Sequence, residues 1–233
     1  QNSRTYNISF TEPYFLGYRV AATGNVFQNR RDFGDYEEVA TGGSVSFGLP
    51  LTDDLTATAG YSYSQTAFNA DGADCTDLPG DPDANCSAPG YVQTRIASGR
   101  DRIKSSVSYG LIYNTIDDRN DPRSGLFVRA IQEVAGLGGD VNYVKTEADA
   151  SYYYGITPAW VVSLQGSTGY VSGWNGDPIR INDRFFKGGN SFRGFETAGV
   201  GPRVVVRDPT TGTLRSGDAL GGRLYAIGTF EVT

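Results

Sequence analysis

The sequence predicts an all-β protein: a transmembrane antiparallel β-barrel of about nine strands, with one long extracellular loop folded into its lumen. Three observations predict it. Apolar and polar residues alternate with period two along most of the 233 residues. One parity is light and apolar with aromatics at its ends, and the other carries charges in mid-strand. The connections alternate between short turns and long loops.

The strands are taken in order. Tyr6, Ile8 and Phe10 alternate with Asn7, Ser9 and Thr11. Val20, Ala22 and Val26 follow, against Arg19, Thr23 and Asn25. Val45, Phe47 and Leu49 oppose Ser44, Ser46 and Gly48; Leu55, Ala57, Ala59, Tyr61 and Tyr63 oppose Thr56, Thr58, Ser62 and Ser64. After a long gap, Ile103, Val107, Tyr109, Leu111 and Tyr113 oppose Lys104, Ser106 and Ser108. A strand with Leu126, Val128 and Ala130 opposite Arg129 and Glu133 is blurred by Phe127 and Ile131. Val144, Ala148, Ala150, Tyr152 and Tyr154 oppose Lys145, Glu147, Asp149 and Ser151. Trp160, Val162, Leu164 and Tyr170 oppose Ser163, Gln165 and Ser167, and Leu224, Ala226, Phe230 and Val232 oppose Tyr225, Thr229 and Glu231.

A soluble sandwich also alternates, so the solvent of each face has to be argued. These strands are about 10–14 residues long, beyond the usual ~5–6. Trp160 and Tyr170 bracket one of them. Ten residues at ~3.3 Å each and a tilt near 45° give ~23 Å, close to the ~25 Å apolar band of outer-membrane barrels. Lys145, Glu147 and Asp149 then solvate a lumen wall.

Composition narrows the function. Apolar residues make up 39%, with Gly (31) and Tyr (15) abundant, and the mean hydropathy is −0.35. No run of 18 apolar residues suggests a transmembrane helix. The chain has no Met and no signal peptide, so residue 1 is not expected to be a native start. A net charge of −6 argues against nucleic acid as a partner. With no His and no acid pair at a strand end, neither an enzyme nor a metal or cofactor site is expected. Cys75 and Cys86 lie in a stretch crowded with Asp, Pro and Gly, where a loop disulfide is expected. The acidic residues of 71–83 are read as solvated, not as a Ca²⁺ site.

Short turns at 13–17, 50–54, 117–125 and 155–159 belong to the periplasmic end by the usual pattern. The loops near 30–36, 68–101, 136–140 and 173–220 then lie at the cell surface. Asp121, Pro122, Arg123 and Gly125 are turn builders. Nine is an odd count for a bacterial single-chain barrel. Its first and last strands would run in the same direction, so strands are expected to be missing at one or both ends, unless 178–190 holds one more.

The segment 173–220 shows no strand pattern. Loops of that length are functional or disordered, and this one has Phe185, Phe186, Phe192 and Phe195 with Lys187, Arg193 and Arg203. Disordered loops are poor in aromatics. Gly188, Gly189 and Gly194 permit positive φ and close approach. A folded loop docked on another surface is expected.

The stretch SFRGFETAGVGPR (191–203) resembles the sixth extracellular loop of the BamA family of outer-membrane barrel-assembly proteins. The family motif is a hydrophobic residue followed by Arg-Gly-Phe. Here it falls on Phe192, Arg193, Gly194 and Phe195, with Phe where Val is more usual. NISFTEPYF (7–15), DDRNDPRSGLFVRA (117–130), FFKGGNSFRGF (185–195) and ALGGRLYAIGTFEVT (219–233) follow in the family's order. The resemblance implies that residues 1–233 are a barrel fragment, strands four to twelve of sixteen. The POTRA domains and the lateral gate would lie outside it, and 173–220 would be the lumen-docked loop. It also implies a non-enzymatic role in inserting nascent outer-membrane proteins, in contact with outer-membrane lipids and, mainly through the POTRA domains, with assembly-machinery lipoproteins. TamA-like and two-partner secretion translocators share the barrel and the motif and remain open, as does, more remotely, a porin. The cysteines depart from the family pattern, lying between the seventh and eighth strands.

One pairing is expected within this frame. Phe230 and Val232 face lipid, so Glu231 faces the lumen, where an unpaired carboxylate is costly. Arg193 can supply two hydrogen bonds in a fixed plane, and the resemblance implies the same pair together with a second acid on a later strand. Gly188, Gly189, Gly201 and Pro202 are the expected supports of the loop.

Overall fold

The computed structural model describes residues 2–32, 37–69, 102–176, 179–180, 183–207 and 214–233. Cys75, Cys86 and the loop 68–101 therefore lie almost wholly outside the described residues, as does 208–213.

The main sheet comprises β1 (Asn2–Glu12), β2 (Ala21–Asp32), β3 (Glu37–Pro50), β4 (Leu55–Asn69), β5 (Arg102–Asn114), β6 (Ser124–Ala135), β7 (Tyr143–Thr157), β8 (Trp160–Gly173) and β11 (Leu224–Val232). Their order is β1-β2-β3-β4-β5-β6-β7-β8-β11. Eight strands are thus joined to sequence neighbours, and β11 returns beside β8 after the long connection. The described residues contain no helix long and apolar enough to cross a membrane.

Register keeps each parity on its own face. Ile8 pairs with Val26 and Phe10 with Gly24; Phe230 pairs with Leu164 and Leu224 with Tyr170. A one-residue slip would mix the faces. The apolar parity is the open one: Ile8 is 79% exposed, Leu224 66% and Phe230 65%. An apolar face this extensive is an association surface in water and a solvated one in hydrocarbon.

The described residues fall into two compact units, one within 1–50, 58–109 and 134–142, the other within 51–57, 110–133 and 143–233. In the first, the Tyr61 hydroxyl and Ser105 Oγ are hydrogen-bonded at 2.9 Å, and Phe15, in the 3-10 turn Phe15–Gly17, packs edge-on against Phe47. Tyr143, Val161, Val171, Ile179 and Phe185 are buried in the second.

The turn between β5 and β6 is organised by Asp117. Its carboxylate accepts the backbone N–H groups of Asp118 (2.9 Å), Arg123 (3.1 Å) and Ser124 (3.1 Å). These donors, that of Arg123 foremost, lower its pKa to about 2. Arg123 Nη2 in turn donates to the carbonyls of Thr157 and Pro158, both at 2.8 Å, tying this turn to the one between β7 and β8. Gly125 sits at φ +118°, and a Cβ there would run into the Thr115 carbonyl.

The segment after β8 departs from its unpatterned reading. It contains a two-stranded hairpin, β9 (Arg203–Arg207) with β10 (Leu214–Ala219). The run Arg203-Val204-Val205-Val206-Arg207 is β-branched without alternation. Period-two matching passes over such a run, whereas β-propensity favours it. Within 178–190, the described residues hold isolated bridges, Phe185 with Gly222 and Lys187 with Val200, and no further strand of the main sheet.

Candidate functional site

The loop that carries Arg-Gly-Phe is folded and lies on the polar face of β7, β8 and β11. Its root is closed by backbone: Phe185 N–H donates to Gly222 O and Gly222 N–H to Phe185 O, both at 2.9 Å. Arg184 crosses this closure, donating from Nε (3.3 Å) and Nη2 (3.1 Å) to Ile179 O and from Nη1 (3.2 Å) to Leu220 O. Three otherwise loose segments meet on one planar guanidinium.

Further along, the glycines allow a tight reversal. Gly188 (φ +131°) and Gly189 (φ +57°) are left-handed, and a Cβ on Gly188 would collide with the Glu196 carbonyl. The Ser191 hydroxyl donates to Gly188 O (2.8 Å) and accepts from Gly188 N–H (3.0 Å). Gly189 N–H reaches Phe195 O at 2.8 Å, closing the motif into a knot. Gly194 (φ +90°) turns its tip, and the Phe192 and Phe195 rings stack at 5.1 Å between centroids. Gly201 is also left-handed at φ +127°, and Pro202 O accepts the Leu220 N–H at 2.8 Å. All four expected supports thus lie at reversals or closures of the loop.

Arg193 Nη1 is 3.9 Å from Glu231 Oε1. The structure brings the two residues to ion-pair distance, but the expected planar pair of hydrogen bonds is not formed. The arginine side chain is 92% exposed, against 43% for the glutamate. A cavity of about 580 Å³, lined by Gln165, Asn190, Phe192 and Thr229 among others, lies between this tip and the strands. At 3.9 Å the guanidinium and the carboxylate are too far apart for hydrogen bonds.

The close contacts are at the root instead. Phe185 is 7% exposed and packs edge-on against Tyr225, 4.8 Å between centroids. Lys187 Nζ lies 3.7 Å from the centre of the Tyr225 ring and Lys145 Nζ 4.6 Å from that of Phe185. Both ammonium groups are within the ~6 Å at which a cation is drawn to a ring face. Gly169, opposite Tyr225 in register, leaves the room: a Cβ there would overlap Tyr225 Cε1 and come within 2.8 Å of Phe185 Cζ.

From Tyr225 a polar chain crosses the wall. Its hydroxyl is 3.2 Å from Ser167 Oγ, which donates to Asp149 Oδ1 at 2.7 Å. Arg129 Nη1 donates to Asp149 Oδ2 at 3.1 Å. Lys145 and Asp149, read from sequence as wall solvation, are thereby engaged with the loop and with neighbouring strands. Sequence reasoning had singled out Phe185 and Lys187 but missed Gly169 and Tyr225 as partners. The available signal was an aromatic, Tyr225, on the parity of Thr229 and Glu231. No cluster of metal-ligating side chains occurs among the described residues.

A family model described as the Omp85 superfamily domain matches residues 1–233. The outer membrane protein assembly factor BamA of Neorickettsia risticii (strain Illinois) is 32% identical over 231 residues, covering 97% of this chain and 28% of that protein. The protein of the same name from Nitratidesulfovibrio vulgaris is 24% identical over 226 residues, covering 96% and 25%. The Homo sapiens sorting and assembly machinery component 50 homolog is 33% identical over 131 residues, covering 54% and 25%. Among solved structures, BamA from Haemophilus ducreyi lacking POTRA domains 1-3 superposes with a TM-score of 0.80 at 21% identity, covering 99% of this chain and 44% of that one. The chain spans about a quarter of the length of the curated relatives it matches. With its family match running from residue 1 to 233, the chain belongs to the Omp85 superfamily.

Proposed function

We propose that this chain is the membrane-embedded barrel portion of an outer-membrane protein assembly factor, which inserts nascent β-barrel proteins into the outer membrane without enzymatic chemistry. One observation carries the proposal. A folded loop bearing Phe192, Arg193, Gly194 and Phe195 lies on the polar face of a sheet whose other face is apolar and open. A porin needs the polar face but not this loop. Relatives named as assembly factors and as sorting and assembly machinery components favour assembly over a secretion translocator.

The physical task is to pass strand edges, with their unpaired N–H and C=O groups, into lipid. The protein's partners are then nascent outer-membrane proteins, outer-membrane lipids and, by analogy with the BamA family, assembly-machinery lipoproteins bound mainly through POTRA domains. Loop 173–220 lies at the cell-surface end and folds inward, with Arg193 directed toward Glu231 as the functional contact.

Complementation tests this directly. Cells depleted of the native protein are supplied with the full-length form, wild type or Arg193→Glu, and folded outer-membrane barrels are quantified by heat-modifiable mobility. Arg193→Glu is expected to deplete several unrelated barrels together. Normal barrels, with loss of secretion of a single substrate, would instead indicate a translocator.

A further inference from the structure

We infer that the Arg-Gly-Phe loop is positioned from its root, by the interlock of Phe185 and Tyr225 over a notch at Gly169. This rests on the assembly reading only for its consequence; the positioning itself follows from geometry.

Four features converge at the root. Glycine inside a strand marks close approach of another group. Gly169 is such a case, because the Tyr225 and Phe185 rings occupy the space its side chain would need. The pair is flanked at both ends by cations, Lys145 over Phe185 and Lys187 over Tyr225. The backbone closure between Phe185 and Gly222 sits on the same residue. Through Ser167, Asp149 and Arg129, Tyr225 is linked to β8, β7 and β6. The root therefore holds the loop and couples it to four strands of the wall. Gly169, Lys187 and Tyr225 are positioning residues, acting on Arg193 through the loop backbone.

The experiment is hydrogen–deuterium exchange on the full-length protein in lipid vesicles, read at the amides of Phe185 and Val200, which donate to Gly222 O and Lys187 O. Gly169→Ala should raise exchange there by at least about fivefold through overpacking, and Lys187→Met by about two- to fivefold. Lys187→Arg, which keeps a cation over the ring, should restore protection. Gly166→Ala, on the same strand with open space around it, should stay within about twofold. The effects of Lys187→Met and Tyr225→Leu should be non-additive, whereas those of Lys187→Met and Arg193→Ala should add. Gly169→Ala behaving like Gly166→Ala, or Lys187→Arg loosening the root as much as Lys187→Met, would overturn the inference. Exchange on purified protein needs no client, so a failure of the assembly reading would appear in the complementation experiment and not here.

Discussion

Arg193 Nη1 and Glu231 Oε1 stand 3.9 Å apart, joining the tip of the Arg-Gly-Phe turn to β11. An exposed pair at that distance contributes ~0–1 kcal/mol to stability. Arg193→Ala is therefore expected to leave the unfolding free energy within about 1 kcal/mol of wild type, measured by denaturant titration of the full-length protein. Client assembly should still fall with Arg193→Lys and fall further with Arg193→Glu, because planar recognition is lost and then the charge is reversed. A loss of several kcal/mol for Arg193→Ala would mean that the tip is a structural anchor after all.

Gly188 carries the opposite expectation. At φ +131° with the Glu196 carbonyl in the path of any Cβ, Gly188→Ala should destabilise the loop by more than about 1 kcal/mol. Gly194, at φ +90° but with nothing within 4 Å of a Cβ, should show the smaller cost of backbone strain alone. Limited proteolysis within 185–203 ranks the two. Equal cleavage rates would deny the steric contribution at Gly188.

The contrast between these sites shows what was legible in the sequence. All nine strands of the main sheet were readable because each face has one solvent, and period two records that. β9 was not, because Val204, Val205 and Val206 are apolar in succession and no polarity alternates along them. The glycines of the motif were readable as reversals, since positive φ is a local property. The Gly169–Tyr225 interlock was not, because a notch exists only once β8 and β11 are in register, and nothing in the order of residues announces that register. The pairing of Arg193 with Glu231 was reachable by parity. Its 3.9 Å separation was not, since parity assigns a face and says nothing of the gap across it.

Asp117 gives a pH dependence. Its folded pKa of about 2 is below the ordinary 3.8, held down by the N–H groups of Arg123 and Ser124. A lowered folded value means the carboxylate stabilises the turn above the unfolded value and ceases to as pH falls through the folded one. Protection of the Arg123 and Ser124 amides, corrected for intrinsic exchange, should hold from neutral pH down to about 4 and collapse between about 4 and 2. Asp117→Asn should weaken that protection at pH 7 and flatten the profile. A wild-type profile already flat through this window would count against the turn assignment.

Orientation follows from the connections. The turn 115–123 and the turn 158–159 are tied together by Arg123, and both are expected at the periplasmic end. Single cysteines at Asn120, Ser87 and Thr211, in a Cys-free full-length protein, should separate under an impermeant thiol reagent. Ser87 and Thr211 should label on intact cells, and Asn120 only after permeabilisation. The reverse pattern would invert the topology.

The central claim is that even-numbered residues of β8 and β11 meet lipid while odd-numbered ones meet the loop and water. A charge scan by parity tests it most directly. Leu164 is 57% exposed on the apolar face and registers with Phe230; Gln165 registers with Thr229 on the polar face. In the full-length protein folded into vesicles, Leu164→Arg or Phe230→Arg should cost ~2–4 kcal/mol near the bilayer midplane. Gln165→Arg and Thr229→Arg, solvated by the interior, should cost less than about 1 kcal/mol. Folding free energies that follow this parity would support a lipid-facing wall with the loop inside. Equal costs at the two parities, or a greater cost at Gln165 and Thr229, would contradict it.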